Sequence, residues 1–389
     1  MTFSIKNTLE LRKANTKLVI NRFRQQPFET KKGIAESLNL SFATASNICN
    51  YLLERNIIET DKMLESEGGR VPTAFRIKND SWLSIGIDLT VSGHVSVGAI
   101  NLKNDIIFTR KVLYDKKSDI NAILNMVRNV VEEVKHKYPV SIIPGIGVAI
   151  PGIYDKKSGK VLNSTIPLFE EVELKEEAGK IFGFNCHIEN ESNLLAKAAQ
   201  QINHGRGESN SDLIYIFVGE GLGVGIISND RLLTGSRGMG AEIGHMPLGD
   251  RKFKCGCGNE GCIEQELSFK GFLRYFYGER EEFTQEDWAR FVCEVKAGNK
   301  RALEVVEHEG MLLGKVISIL ANIFDPSIVY IGGIIDDIYD YIYPFANSEM
   351  KKRTLMNNYR NIEIARTIDK NNLIFIGCNQ LVFENWDID

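Results

Sequence analysis

The chain has 389 residues, 43% hydrophobic and 25% charged, a balance that lets a soluble chain bury the cores of two or three domains. No apolar run approaches the roughly 20 residues needed to cross a bilayer, and the first thirty residues lack the apolar core of a secretory signal, so a cytoplasmic protein without membrane contact is expected. The net charge of -4 hides an asymmetry: residues 1–80 hold 13 basic against 9 acidic side chains, and the rest 34 against 42. That basic excess fits a nucleic-acid partner and equally a solvated surface, so the residue pattern has to decide.

From Leu9 to Phe23 the apolar residues Leu11, Ala14, Leu18, Val19, Ile20 and Phe23 mostly recur three or four apart, which predicts an amphipathic helix ended by Pro27. A second helix is expected from an N-cap at Thr30 through Ile34, Ala35 and Leu38. A third starts at Ser41 and turns Ala45, Ile48, Leu52 and Leu53 inward, with Asn39-Leu40 as the turn of a helix-turn-helix. Strand-like IIET and TAFRI bracket Gly68, Gly69 and Arg70 as a β-hairpin wing would. Ser41, Thr44, Ser46, Asn47 and Asn50 then lie on the outer side of the third helix, short polar groups able to reach base edges and phosphates in a major groove. A module for protein contacts is the competing reading. Arg70 suits a narrow A·T-rich minor groove, or is a plain linker arginine.

Beyond residue 80 strand and helix patterns alternate, so a mixed α/β architecture is expected. SIGIDLTVSGHVSVGAINL reads as a hairpin with Asp88 ending its first strand. A helix follows at about 118–137, then the strand and turn GIGVAIPGIYD, and CHIENESN leads into a helix containing Leu194, Leu195, Ala198 and Ala199. After the strand IYIF, the loop GEGLGVG runs into the strand-like GIISND rather than a helix, so it is no dinucleotide loop, and close approach of a ligand is the expected reason for its glycines. A long helix near Ile317 precedes the strand IVYIGG.

Seven cysteines, an odd number without a secretory signal, argue against a disulfide framework. Cys49, Cys186, Cys293 and Cys378 read as buried apolar thiols. His245, Cys255, Cys257 and Cys262 instead stand close together in Gly-rich chain. One imidazole and three thiolates complete a tetrahedral shell with no open position, which predicts one structural zinc per chain.

AEIGHMPLG (241–249) followed by CGCGNEGCIE (255–264), with GIGVAIPG, ENESN and IVYIGG in support, resembles the ROK family of sugar-dependent repressors and sugar kinases from about residue 8 to the end. The resemblance implies a winged helix-turn-helix over 1–80 and a two-lobed actin-like sugar-kinase fold over 81–389, with lobes of roughly 81–197 plus the C-terminal end and 198–371. It implies assembly as a homodimer or homotetramer. It also implies that Asn190, Glu191, Glu242, His245 and Glu264 hold sugar hydroxyls, His245 giving one ring nitrogen to the metal and the other to the sugar.

Members of the family either phosphorylate a sugar with ATP or only sense it. Glu191 stands where the kinases' ENDAN carries its aspartate base, and a catalytic group misplaced by about 1 Å can cost about 10²-fold. The kinases' DxGGT phosphate loop is Asp88-Leu89-Thr90-Val91-Ser92 here, and their GTG is Gly219-Glu220-Gly221, which brings a carboxylate towards polyphosphate. These departures point to a non-enzymatic repressor with operator DNA and a small sugar as partners. The spelling NEXN resembles xylose-type repressors, and a sugar kinase is the alternative.

Overall fold

A computed structural model of the chain describes residues 8–61, 73–115, 117–207, 211–367 and 370–388. At the amino end α1 (Thr8–Gln25), α2 (Lys31–Ser37) and α3 (Phe42–Glu54) pack with an antiparallel sheet in which β3 (Ala74–Ile77) lies between β1 (Glu29–Thr30) and β2 (Ile58–Asp61). The expected caps are in place: Thr30 accepts from the Gly33 amide and Ser41 from the Thr44 amide, each satisfying an otherwise unpaired first-turn N–H. Asn39, at φ 51°, makes the turn between the two helices. In α1 the buried stripe is Thr16, Val19, Ile20 and Phe23, whereas Leu11 and Leu18, expected inside, are 51% and 48% exposed. The wing's tip, with Gly68, Gly69 and Arg70, lies outside the described residues.

The next strands, β4 (Leu83–Asp88), β5 (His94–Asn101) and β6 (Ile106–Leu113), form an antiparallel meander. After α4 (Ile120–Lys137) come β7 (Ile146–Ile150), the small hairpin of β8 (Ile153–Asp155) and β9 (Lys160–Leu162), then α5 (Leu174–Phe182) and β10 (Cys186–Asn190). The sheet order is β6-β5-β4-β7-β10, with β4, β7 and β10 parallel. Every residue of β7 is buried, as the continuous apolar run IGVAI requires of a strand covered on both faces.

α6 (Glu191–Gly205) leads to the second sheet, built from β11 (Leu213–Val218), β12 (Leu222–Ser228), β13 (Arg231–Leu232) and, after α7 (Phe269–Tyr277), α8 (Gln285–Lys296) and α9 (Lys300–Phe324), β14 (Ile328–Gly333). α10 (Tyr339–Arg353), α11 (Asn357–Arg360), β15 (Glu363–Arg366) and α12 (Lys370–Asn385) complete the chain. The order β13-β12-β11-β14-β15 repeats that of the first sheet. Cys49, Cys186 and Cys378 are buried as expected; Cys293 is not, because it lies on the exposed side of α8. Among the described residues no helix is long and apolar enough to cross a membrane.

α6 and α12 lie against each other between the two sheets and share one buried cluster with both: Leu194, Ala198, Leu213, Tyr215, Ile374 and Cys378 belong to it. Small residues set these close approaches. A Cβ on Gly377 would meet the Leu194 carbonyl oxygen at 2.3 Å, and one on Gly147 would meet the Cys378 carbonyl oxygen at 2.7 Å. The end of α12 belongs to another core: Val382 and Phe383 are buried with Phe23, Ile34, Leu52, Ile77 and Trp82. Arg24 of α1 donates to Gln380 Oε1 (2.9 Å), Leu102 O (2.8 Å) and Asn104 Oδ1 (3.0 Å), with its guanidinium 4.7 Å from the centre of the Phe383 ring. The winged helix is therefore packed onto the first lobe.

Candidate functional site

The first lobe contributes side chains placed by the ends of regular elements. Asn190 is the N-cap of α6: its Oδ1 accepts from the Ser192 amide (2.9 Å) and its Nδ2 donates to Gly152 O (2.7 Å), leaving one N–H uncommitted. Glu191 opens that helix and faces Asp88 at the end of β4. Burial, with the Asp88 charge beside it, pushes the Glu191 carboxyl up to about 8, and hydrogen bonding from Thr90 offsets part of this. Desolvation also raises Asp88, against hydrogen bonds from the Thr90 amide (2.9 Å) and hydroxyl (2.7 Å). One of the two carboxyls thus stands as a neutral acid near pH 7, able to donate as well as accept. The Thr90 N–H is thus turned onto Asp88.

The second lobe contributes Glu242, His245 and Glu264 from chain between β13 and α7 that holds short 3₁₀ turns and one isolated bridge, Lys254 to Glu260. Glu264 Oε2 accepts from the Leu222 amide (3.2 Å) and lies 2.6 Å from where a Cβ on Gly221 would sit. Desolvation pushes Glu242 up, with Glu264 adding to the effect and His245 opposing it. His245 Nδ1 is 3.6 Å from Cys255 Sγ, and its Nε2 is 3.2 Å from Asn163 Nδ2 of the first lobe. Cys257 and Cys262 sulfurs are 3.6 Å apart, and the donor atoms of all four residues lie within 4.8 Å of one another. A tetrahedral ion at ordinary zinc bond lengths sets thiolates about 3.8 Å apart and a thiolate about 3.5 Å from an imidazole nitrogen. This set can therefore hold a metal ion with little rearrangement.

The two groups adjoin where α6 meets β12. A Cβ on Gly223 would lie 2.8 Å from Ser192 Oγ, and one on Gly225 would lie 2.3 Å from Ser192 O. Gly221, Gly223 and Gly225 of GEGLGVG thus admit the Glu264 carboxylate and α6. Asn163 was not foreseen, because it belongs to a loop after β9 that carries no motif. Nor was the clasp beneath it, in which Arg237 of the second lobe donates to buried Asp155 of β8 (2.8 Å) and holds that carboxyl well below its ordinary value.

On the winged helix, Ser41, Asn47 and Asn50 are exposed and Thr44 and Ser46 half-buried. Ser41 Oγ is committed to capping and lies 2.8 Å from Thr44 Oγ1, while Lys31 of α2 donates to Asn50 Oδ1 (2.7 Å) and Ser46 Oγ (3.2 Å). Lys31 therefore sets a cation on the face of α3, a partner invisible to periodicity because it comes from another helix.

The sequence matches the family model described as the ROK family over residues 84–383. A protein of Caldicellulosiruptor bescii named xylose repressor is 27% identical over 391 residues, covering 96% of this chain and 96% of its own. Among solved structures, a ROK family transcriptional regulator described as a homolog of the E. coli MLC protein superposes with a TM-score of 0.79 at 21% identity, covering 97% of this chain and 98% of its own. A ROK hexokinase from Thermus thermophilus gives 0.66 at 20% identity, with 98% of its length falling on 78% of this chain. Sequence and fold agree over most of the length: the chain belongs to the ROK family.

Proposed function

We propose that this protein is a sugar-responsive transcriptional repressor in which α3 and the wing dock on operator DNA and a sugar between the lobes alters that docking. The observation that carries this reading is that the likeness to a protein named as a xylose repressor runs through the winged helix and the ROK domain together. A pentose such as xylose is the effector this favours. Asn190, Glu191, Glu242, His245 and Glu264 hold its hydroxyls, and directional hydrogen bonds of this kind select one sugar from another. Zinc, one per chain, is held by His245 Nδ1, Cys255, Cys257 and Cys262, and fixes the ring so that Nε2 faces the cleft; its closed shell leaves no place for reactive water.

Asn47 and Asn50 read base edges, Ser41, Thr44, Ser46 and Lys31 approach the backbone, and Arg70 contributes a minor-groove contact. A homodimer presents two such helices to a palindromic operator, with half-sites about one helical turn apart or a multiple of it. The Asp88-Thr90 bonds, Glu191 and Glu220 support a protein without kinase turnover. The test pairs two assays on the purified full-length chain: operator gel shift with and without xylose, and ADP release with xylose, Mg²⁺ and ATP. Sugar-dependent loss of the shift without turnover is expected. Robust sugar-dependent ADP release, or a shift that no sugar alters, would sink the proposal.

A further inference from the structure

Two groups of metal-ligating side chains occur among the described residues, and the second takes no part in the cleft. Glu266, just past the cysteine loop, and His308 and Glu309 of α9 each bring one donor atom within 4.8 Å of the others. Glu266 is 2% exposed and Glu309 0%, and Oε2 of each is buried without a hydrogen-bond partner. Buried polar atoms in a folded protein are nearly always satisfied, and two carboxylate oxygens left over in one place indicate an ion or ordered water between them.

The surrounding groups do not fill this need. Glu266 Oε1 accepts from the Arg251 amide (3.0 Å), but Arg251 Nε stays 4.0 Å from Oε2 because its guanidinium lies over the Tyr275 ring, 3.7 Å from the centre. His308 Nδ1 is 3.3 Å from Glu309 Oε1 and its Nε2 is 3.8 Å from Asp250 Oδ2, while Lys315 Nζ is 3.7 Å from Asp250 and donates to Leu248 O. Lys315 therefore serves the exposed Asp250, and Arg251 is the fixed cation recorded beside Glu266. With a neutral imidazole, the buried Glu309 carboxylate has no ion-pair partner among the described residues.

We propose that Glu266, His308 and Glu309 form a second metal site, taking one divalent ion of the kind that prefers oxygen and nitrogen, such as Mn²⁺. Two carboxylates and an imidazole suit such an ion, whereas the thiolate-rich set around His245 selects a softer one. Bound there, the ion ties the end of the cysteine loop to α9 and fixes the chain two residues beyond Glu264.

Mn²⁺ titration of the full-length, zinc-loaded protein at slightly alkaline pH, followed by the electron paramagnetic resonance signal of free Mn²⁺, tests this. One equivalent per chain should be taken up. Glu309→Gln, which keeps the side-chain volume, and His308→Ala, at a half-buried position, should each weaken uptake by about tenfold or more. Glu264→Gln, on the cleft side, should leave it unchanged, and zinc content reports that each variant has folded. No uptake at millimolar Mn²⁺, or uptake unaffected by both substitutions, overturns the proposal and leaves an ion-pair network in which protonated His308 supplies the missing charge. Loss of uptake in Glu264→Gln overturns it too, by locating the ion in the cleft.

Discussion

The two five-stranded sheets repeat one strand order, yet the two halves place the proposed sugar-binding side chains by different means. In the first half Asp88, Asn190 and Glu191 sit at strand ends and a capped helix start, where backbone hydrogen bonds fix them. In the second half Glu242, His245 and Glu264 stand on chain with little regular structure, fixed by the cysteine cluster and by single bonds such as that from the Leu222 amide. One scaffold thus supports two ways of positioning a polar group. With the proposed zinc in place, the second depends on a metal cross-link that can be removed without disturbing a sheet.

Removing it is the strongest way to break the symmetry. Cys257→Ser, or chelation, should abolish stoichiometric zinc and weaken sugar binding by about 10–100-fold, because His245 loses the partner that orients it. Operator binding without sugar should persist. Calorimetry with metal analysis checks this, and unchanged sugar affinity in zinc-free protein would mean that the loop holds its shape alone. Next in size is Gly377→Ala, whose added Cβ meets backbone rather than a yielding side chain. Forcing α6 from α12 should cost about 1–3 kcal/mol, read as a lower melting temperature.

Glu242→Gln should weaken sugar binding roughly tenfold, the low end for a lost hydrogen bond to a charged group, and leave the operator gel shift intact. Loss of operator binding in a folded variant would show that cleft and DNA face are not separable. The smallest effect sharpens the first half. With Glu191 raised from 4.5 to about 8, the folded state keeps a proton that the unfolded chain releases, so wild-type stability falls as pH rises across that window. Glu191→Gln removes this slope, so above pH 8 the sugar-free variant should melt higher than the wild type. Parallel melting profiles against pH would show that Glu191 is not desolvated.

What the sequence made legible follows from how local each signal is. Thr30 and Ser41 announce helix starts because a cap acts within three residues, and His245 with its cysteines is visible because the whole ligand set lies in 18 consecutive residues. Asn163, Lys31 and Arg237 were missed because each acts on a residue from another element. Leu11 and Leu18 were read inward because an apolar residue at helical spacing does not reveal which of two stripes is covered. α12 carries no legible signal for a related reason: as KNNLIFIGCNQLVFEN it packs against α6, the first sheet and the winged helix, so no single apolar face stands out.

Trp82, 1% exposed, stands two residues past the point where the sequence divides into a DNA module and a sensing module, and it packs edge-on against Phe383 with ring centres 6.4 Å apart. Cutting the gene at codon 80 would therefore leave each fragment with half of a hydrophobic core. A graft that gives this sensor a new operator has to carry residues 1–82 together with the closing segment around 380–388, two stretches from opposite ends of the chain. The unit of inheritance for DNA recognition in this protein is discontinuous, and chimeras joined at a single crossover should aggregate where those with both ends matched stay soluble.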